Sequence, residues 1–136
     1  MNLSVKNFSL VFMAGLVGGL LNCLAVWFFG VLGIPQILGV QIAPPLTNTL
    51  LYSKLVWGGI WGLLFLIPLR RLTFPGRGLL FSLGPSLVQL FVVFPYQDQK
   101  GIMGLQLGAL TPLFVLFYNV VWGVVAALWL QWERPD

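Results

Sequence analysis

The sequence predicts an all-α integral membrane protein whose four transmembrane helices form two similar hairpins. Three observations support this: the composition, the length of the apolar runs, and a segment that recurs after 65 residues. Hydrophobic residues make up 59% of the 136-residue chain and charged residues only 7%, whereas a soluble domain carries about 25% charged residues. One soluble domain of this size has too little interior to bury so much apolar surface, so we expect the chain to lie in a bilayer.

Four apolar runs are long enough to cross the hydrocarbon core, which takes about 20 helical residues. They cover residues 9–32, 47–69, 79–95 and 111–132, and the third contains Pro85. The first run is too long for the apolar region of a signal peptide, and no typical cleavage site follows it. We therefore expect it to remain as a transmembrane helix.

The charges in the connecting segments predict how the chain is oriented. Segment 70–78 holds three arginines and no acid, and each terminal region adds one basic residue. These residues are Arg70, Arg71, Arg77, Lys6 and Arg134. Because Lys and Arg accumulate on the cytoplasmic side, we expect both termini and this segment to be cytoplasmic. The expected location is the cell membrane, which is the inner membrane if the source is bacterial.

The segment 33–46 carries no charge and is largely apolar. One interpretation is an ordinary loop in the outer interface of the membrane. The other is a re-entrant turn, which needs protein or water partners for its backbone groups. We favour the interfacial loop.

A repeat with a spacing of 65 residues indicates that the two hairpins are related. Residues 39–58 and 104–123 are identical at five of 20 positions, where composition alone gives roughly two. The identical pairs are Gly39 and Gly104, Gln41 and Gln106, Val56 and Val121, Trp57 and Trp122, and Gly58 and Gly123. The repeats would cover about 9–69 and 79–132, related by an axis along the membrane normal. Convergent composition is the alternative, because membrane helices in general favour Gly, Leu and Trp.

Small residues recur at a spacing of four in three of the predicted helices. In lipid, such pairs allow two helix backbones to approach closely. The pairs are Gly15 and Gly19, Gly58 and Gly62, and Gly123 and Ala127. We favour contacts within the chain, and an oligomer interface is the alternative.

Lys54 lies about two turns from the outer end of the second predicted helix. None of the predicted spans contains Asp or Glu, so this charge has no intramembrane ion-pair partner within its own chain. An ammonium group at that depth costs several kcal/mol unless it reaches water or a partner. Two interpretations stay open: contact with an anion or polar solute in a wet cavity, or a side chain that extends to the outer headgroups. At the spacing of the repeat, Asn119 corresponds to Lys54.

Several other polar side chains lie within the predicted spans, and interhelical hydrogen bonds usually explain such residues. They are Asn22, Ser53, Ser86, Gln89 and Asn119. A polar pathway is the alternative, and for it the solute-contacting candidates are Lys54, Asn119, Asn22 and Gln89. We expect Trp57 and Trp122, which are mid-helix, to pack in the centre of the bundle.

The residue types that are missing exclude several kinds of chemistry. The chain has no histidine, a single cysteine at Cys23, and no carboxylate in a predicted span. Metal, haem and iron–sulfur sites need His or several Cys, and acid–base or nucleophilic catalysis needs a paired base and acid or nucleophile. We therefore expect no enzyme, no cofactor and no metal. Ten charged residues also make nucleic acid an improbable partner.

Two functional hypotheses remain. The first is a small channel- or transporter-like protein that acts as an oligomer on a neutral or anionic solute, and it rests on Lys54 and the other intramembrane polar residues. The second is a non-catalytic scaffold or accessory subunit of a larger membrane complex. Both imply the lipid bilayer as a partner, together with other copies of the chain or other membrane subunits.

Overall fold

The computed structural model describes residues 4–69 and 71–133. These residues contain helices but no strand, and four helices are long and apolar enough to cross a membrane. They are helix 1 (Val5–Leu32), helix 2 (Asn48–Leu66), helix 3 (Phe74–Gln97) and helix 4 (Thr111–Glu133). The prediction of an all-helical chain with four helices of spanning length is therefore confirmed. Arg70 and Arg134, which contributed to the predicted orientation, lie outside the described residues.

Side-chain caps and prolines determine where the helices begin and end, and these positions differ from the ends of the apolar runs. The Thr73 hydroxyl accepts a hydrogen bond from the Gly76 amide at 3.3 Å, so helix 3 begins at Phe74 rather than at residue 79. The Thr47 hydroxyl caps helix 2 in the same way, accepting from the Leu50 amide at 3.1 Å. Helix 2 ends at residue 66 rather than 69, because the residue before Pro68 is held in an extended conformation.

Helix 3 is irregular along its length. Regular α-helix covers Phe74–Phe81 and Leu83–Val88, and the wider π-helical turns cover Gln89–Gln97. Pro85 and Pro95 both lack the amide hydrogen that a regular helix requires, so the standard hydrogen-bond ladder cannot continue through them. The wide turns begin at Gln89, one of the residues predicted to contact solute.

Helices 1 and 4 form the centre of the bundle, since helix 1 packs along both helix 2 and helix 4, and helix 4 also packs against helix 3. Helix 3 packs mainly through Phe74–Phe81 against helix 4. Helices 2 and 3 meet where Leu63–Leu66 contacts that same segment. The bundle is thus closed between helices 1 and 4, while helices 2 and 3 touch chiefly at one end.

Two helix crossings are made by glycines in direct backbone contact. Gly15 of helix 1 meets Gly58 of helix 2, where a Cβ on Gly58 would lie 2.6 Å from the Gly15 carbonyl oxygen. Gly78 of helix 3 meets Gly123 of helix 4, where a Cβ on either residue would overlap the other's carbonyl oxygen. Neither crossing has space for a side chain, so both helix pairs approach as closely as their backbones allow.

The connections 33–46 and 96–110 meet at one end of the bundle, which we call the loop end. The Gln41 amide donates to the Leu107 carbonyl oxygen at 2.9 Å, and the backbones of Gly39 and Gly108 are in contact. Val40 is fully buried and packs against the ends of helices 1 and 4. The two connections therefore form one cover over part of the loop end.

Candidate functional site

Two adjoining cavities of about 450 Å³ each lie around Lys54. We call the first the side cavity and the second the end cavity. Lys54, Asn22 and Gln89 line both of them, and Asn119 also lines the side cavity. The structure thus brings the four predicted solute-contacting residues together at one place, although they come from all four helices.

The side cavity lies between helices 2 and 3. Its lining residues from helices 1 and 4 are all buried and form its floor: Gly19, Asn22, Asn119 and Trp122. Its exposed lining residues come from helices 2 and 3 and include Trp57, which is 58% exposed, and Val92, which is 52% exposed. The cavity therefore opens on the flank of the bundle, where a spanning protein meets lipid.

The end cavity extends from Lys54 towards the loop end. Gln41 and Pro44 of the first connection line it, and so does Asp98, the residue that follows helix 3. Because Lys54 and two amides line both cavities, the cavities adjoin at the Lys54 site, the end cavity reaching towards the loop end and the side cavity opening on the flank of the bundle.

Lys54 is partly buried, and among the described residues no hydrogen bond or ion pair engages its side chain. No described acid lines the side cavity, whereas Asp98 faces the same end cavity as Lys54 without pairing with it. Asp98 was not predicted as a site residue because it lies just beyond the third span. The sequence did offer one signal that could have identified it, because Asp98 is the acid nearest to the third predicted span.

Asn119 is held in a polar network between helices 3 and 4. Its side-chain amide donates to the Ser86 hydroxyl at 3.0 Å and to the Gln89 side-chain oxygen at 3.4 Å. The Ser86 hydroxyl in turn donates to the Ser82 carbonyl oxygen at 2.7 Å. Interhelical hydrogen bonding, the structural interpretation of these residues, thus applies to Asn119, Ser86 and Gln89. The same network fixes Gln89 at the boundary of both cavities.

Asn22 and Tyr118 leave polar atoms unpaired in a buried position. The Asn22 side-chain amide donates to the Tyr118 carbonyl oxygen at 2.7 Å, but the Asn22 Oδ1 atom and the Tyr118 hydroxyl have no protein partner. Each side chain is only 4% exposed, and both line the end cavity. A buried unpaired polar atom costs about 1–3 kcal/mol, so polar contents in this cavity would stabilise it. Tyr118 was not predicted, because a tyrosine in an apolar run resembles a packing residue.

The small residues predicted to pack lie at contacts within the chain. Gly19 contacts the Lys54 backbone, Gly62 contacts the Val11 carbonyl, and Ala127 lies against Gly78. Gly15, Gly58 and Gly123 form the two crossings described above. Gly78 was not predicted as a packing residue because the residue four positions later is Ser82. The sequence therefore shows no pair of small apolar residues there.

Trp122 and Trp57 lie in different environments although they occupy corresponding positions of the sequence repeat. Trp122 is 3% exposed, and its indole nitrogen donates to the Gly58 carbonyl oxygen at 3.2 Å. The prediction of central packing is right for Trp122 and wrong for Trp57. Helix 4 has neighbours on two sides, helix 1 at Trp122 and helix 3 at Gly123. Helix 2 uses its glycine face against helix 1, which leaves Trp57 at the edge of the side cavity.

The part of the chain that the structure describes holds no group of three or more His, Cys, Asp and Glu residues arranged to bind a metal. Comparison with protein-family models, with curated proteins and with solved structures found no match to this chain.

Proposed function

We propose that the chain is a small multi-pass membrane protein, channel- or transporter-like, that acts on a neutral or anionic solute at Lys54. The observation that carries this proposal is that Lys54, Asn22 and Gln89 line two adjoining cavities, one towards the loop end and one on the flank of the bundle. A cavity of about 450 Å³ is within the roughly 300–1,000 Å³ range of small-molecule sites.

The chemistry of the lining favours an anion or a neutral polar molecule. Lys54 offers an ammonium group that no described side chain neutralises, and Asn22 and Gln89 offer amides that both donate and accept. A cation would meet the Lys54 charge without an acid in the side cavity to balance it. The site is therefore selective against cations by simple electrostatics.

The predicted duplication into repeats 9–69 and 79–132 is part of the proposal. The crossing of Gly15 with Gly58 resembles the crossing of Gly78 with Gly123. Gly58 and Gly123 are 65 residues apart, which is the repeat spacing, whereas Gly15 and Gly78 are 63 residues apart. The crossing point in the first helix of the second hairpin is therefore shifted by two residues relative to the repeat. Gly58 and Gly123 thus keep the repeat spacing, and each lies where the two helices of its hairpin cross.

The proposed orientation places both termini and segment 70–78 in the cytoplasm of a cell, with the loop end outside. It rests on the basic residues of the sequence. A fluorescent reporter that matures only in the cytoplasm, fused after residue 136, should be bright. A stable, membrane-inserted but dark fusion would reverse the orientation.

Helix 2 supports the proposal of an oligomer. It is the least buried of the four spans, and Tyr52, Val56 and Ile60 form an exposed stripe at a spacing of four. The same stripe also favours the second candidate function, an accessory subunit that docks on a larger membrane complex. Both require a protein against helix 2, and only the first requires solute movement.

The decisive experiment compares flux in proteoliposomes for the natural sequence, Lys54→Met and Lys100→Met. Met keeps most of the Lys stem and removes the charge, and Lys100 is an exposed lysine outside both cavities. A charged hydrogen bond contributes about 1.5–3 kcal/mol, so Lys54→Met should lower anion flux about 10- to 100-fold. Lys100→Met should conduct like the natural sequence.

Equal flux for Lys54→Met and the natural sequence would refute the role of Lys54. Absence of flux for chloride, phosphate, acetate and glycerol would favour the accessory subunit. In that case, crosslinking from a photoreactive residue at position 56 should capture a different membrane protein rather than a second copy.

A further inference from the structure

The side cavity offers one charged group and an aromatic surface at different depths. Lys54 lies six residues into helix 2, which is roughly 9 Å from its start, whereas Trp57 and Trp61 lie roughly 14 and 20 Å from its start. All three residues line the cavity. A ligand whose charged group contacts Lys54 can therefore place an apolar chain along the two tryptophans.

The opening of the side cavity lies at the depth of the hydrocarbon. Trp57 is nine residues, or roughly 14 Å, from the start of helix 2, and Val88 is nine residues from the end of helix 3. Both are exposed at the edge of the cavity, at 58% and 39%. A hydrated ion would have to cross lipid to enter here. A molecule that is already dissolved in the bilayer would not.

We propose that the side cavity binds a single-chain anionic amphiphile, a fatty-acid carboxylate, which enters laterally from the bilayer between helices 2 and 3. Its carboxylate contacts Lys54, and its chain lies along Trp57 and Trp61. This inference rests on the proposed function and names the substrate class of the same site.

Charge and size both favour this occupant. Lys54 supplies the positive charge, and no described acid lines the side cavity to oppose a carboxylate. A volume of about 450 Å³ is in the lower part of the roughly 300–1,000 Å³ range of ligand sites, which favours one chain over a two-chain phospholipid. Each buried methylene contributes about 0.8 kcal/mol, but the surrounding lipid offers the chain almost the same gain. The carboxylate contact with Lys54 must therefore supply the selectivity.

The test uses the full-length protein in a neutral detergent and the quenching of its tryptophan fluorescence by dibromostearate. The natural sequence should show a saturable component, because Trp57 and Trp61 line the cavity. Lys54→Met should weaken the apparent affinity about 10- to 100-fold. Lys100→Met should leave it unchanged. The uncharged methyl ester of the same acid should bind the natural sequence and Lys54→Met equally weakly.

A second pair of variants tests the lateral entrance. Val88→Phe adds an aromatic ring at the edge of the cavity, while Leu87→Phe places the same ring at an exposed neighbour that does not line it, and neither variant adds a tryptophan to the fluorescence signal. Val88→Phe should reduce dibromostearate binding at least tenfold. Leu87→Phe should bind normally. Matching size-exclusion profiles establish that all variants are folded.

The outcomes separate this inference from the proposed function. Quenching that is linear in dibromostearate and equal in all variants means that the acid is only dissolved in the micelle, and the inference is then wrong. If small-anion flux nevertheless depends on Lys54, the proposed function survives that failure. Saturable, Lys54-dependent binding without flux of any solute, dibromostearate included, would retain the amphiphile site and refute transport.

Discussion

The backbone contact between Gly58 and Gly15 predicts a measurable loss of stability when a single methyl group is added. In Gly58→Ala, the new Cβ would lie 2.6 Å from the Gly15 carbonyl oxygen and 2.9 Å from the Gly19 Cα atom. Ordinary van der Waals contact begins at 3.4 Å. Both neighbours are backbone atoms, which cannot rotate away, so helices 1 and 2 must move apart.

The magnitude follows from the packing that is lost. A gap of about 0.5–1 Å removes a quarter to a half of the attraction in each atom pair, and overpacking of this kind costs about 1–3 kcal/mol. Replacing a helical Gly by Ala returns about 0.5–1 kcal/mol through helix propensity. We expect Gly58→Ala to lower the free energy of unfolding by about 1–2 kcal/mol. Gly123→Ala should lose a similar amount, because its Cβ would overlap the Gly78 carbonyl oxygen.

The assay is SDS-induced unfolding of the purified protein in mixed micelles, followed by circular dichroism. Gly84→Ala is the matched control, since its Cβ would be 3.2 Å from side-chain atoms of Leu64 and Trp61, which can shift. We expect its free energy of unfolding to change by no more than about 0.5 kcal/mol. If Gly58→Ala or Gly123→Ala is as stable as the natural sequence, the glycines do not set the helix separation, and the argument for matched crossings is wrong.

Two further predictions concern hydrogen bonds within the bundle. A double-mutant cycle of Asn119→Leu and Ser86→Ala, measured by the same unfolding assay, should give a coupling energy of about 0.6–1.7 kcal/mol, because their side chains are 3.0 Å apart. A coupling near zero would mean that the network does not join helices 3 and 4. Trp122→Phe should cost about 1 kcal/mol through loss of its bond to the Gly58 carbonyl. Trp57→Phe, at an exposed position, should change stability by less than about 0.5 kcal/mol; equal losses would contradict the different environments.

The four spans were predictable because the bilayer imposes a simple requirement. A spanning helix needs about 20 apolar residues and satisfies its own backbone groups, so hydropathy alone locates it. The ends were less predictable because they depend on single residues. The Thr73 cap extends helix 3 towards its N-terminus, and Pro68 ends helix 2 early.

The four predicted solute-contacting residues could be found one at a time in the sequence, but the cavities that they line, and the roles of Asp98 and Tyr118 there, could not. Lys54, Asn22 and Gln89 stand out because each interrupts an apolar run. Their common position depends on how far helices 2 and 3 diverge, and that distance is set by contacts between segments distant in sequence. The π-helical turns at Gln89–Gln97 likewise arise from Pro95 and tertiary packing together. Trp57 illustrates the same limit of prediction from sequence. It corresponds to Trp122 in the repeat, but Trp57 is exposed whereas Trp122 is buried.

Both interpretations of Lys54, solute contact and extension to the outer headgroups, involve the end cavity. The side chain lines both cavities, so extension towards the loop end passes through the end cavity, past Gln41 and Asp98, rather than along lipid. A partly buried ammonium without a described partner destabilises the bundle in either case. We therefore expect Lys54→Met to have an equal or higher free energy of unfolding than the natural sequence in a neutral detergent, whether or not Lys54 binds solute. A clear loss of stability would instead show that the charge has a stabilising partner. Stability alone cannot separate the hypotheses, and the separation must come from flux and from amphiphile binding, because only a solute-contacting Lys54 loses those together with its charge.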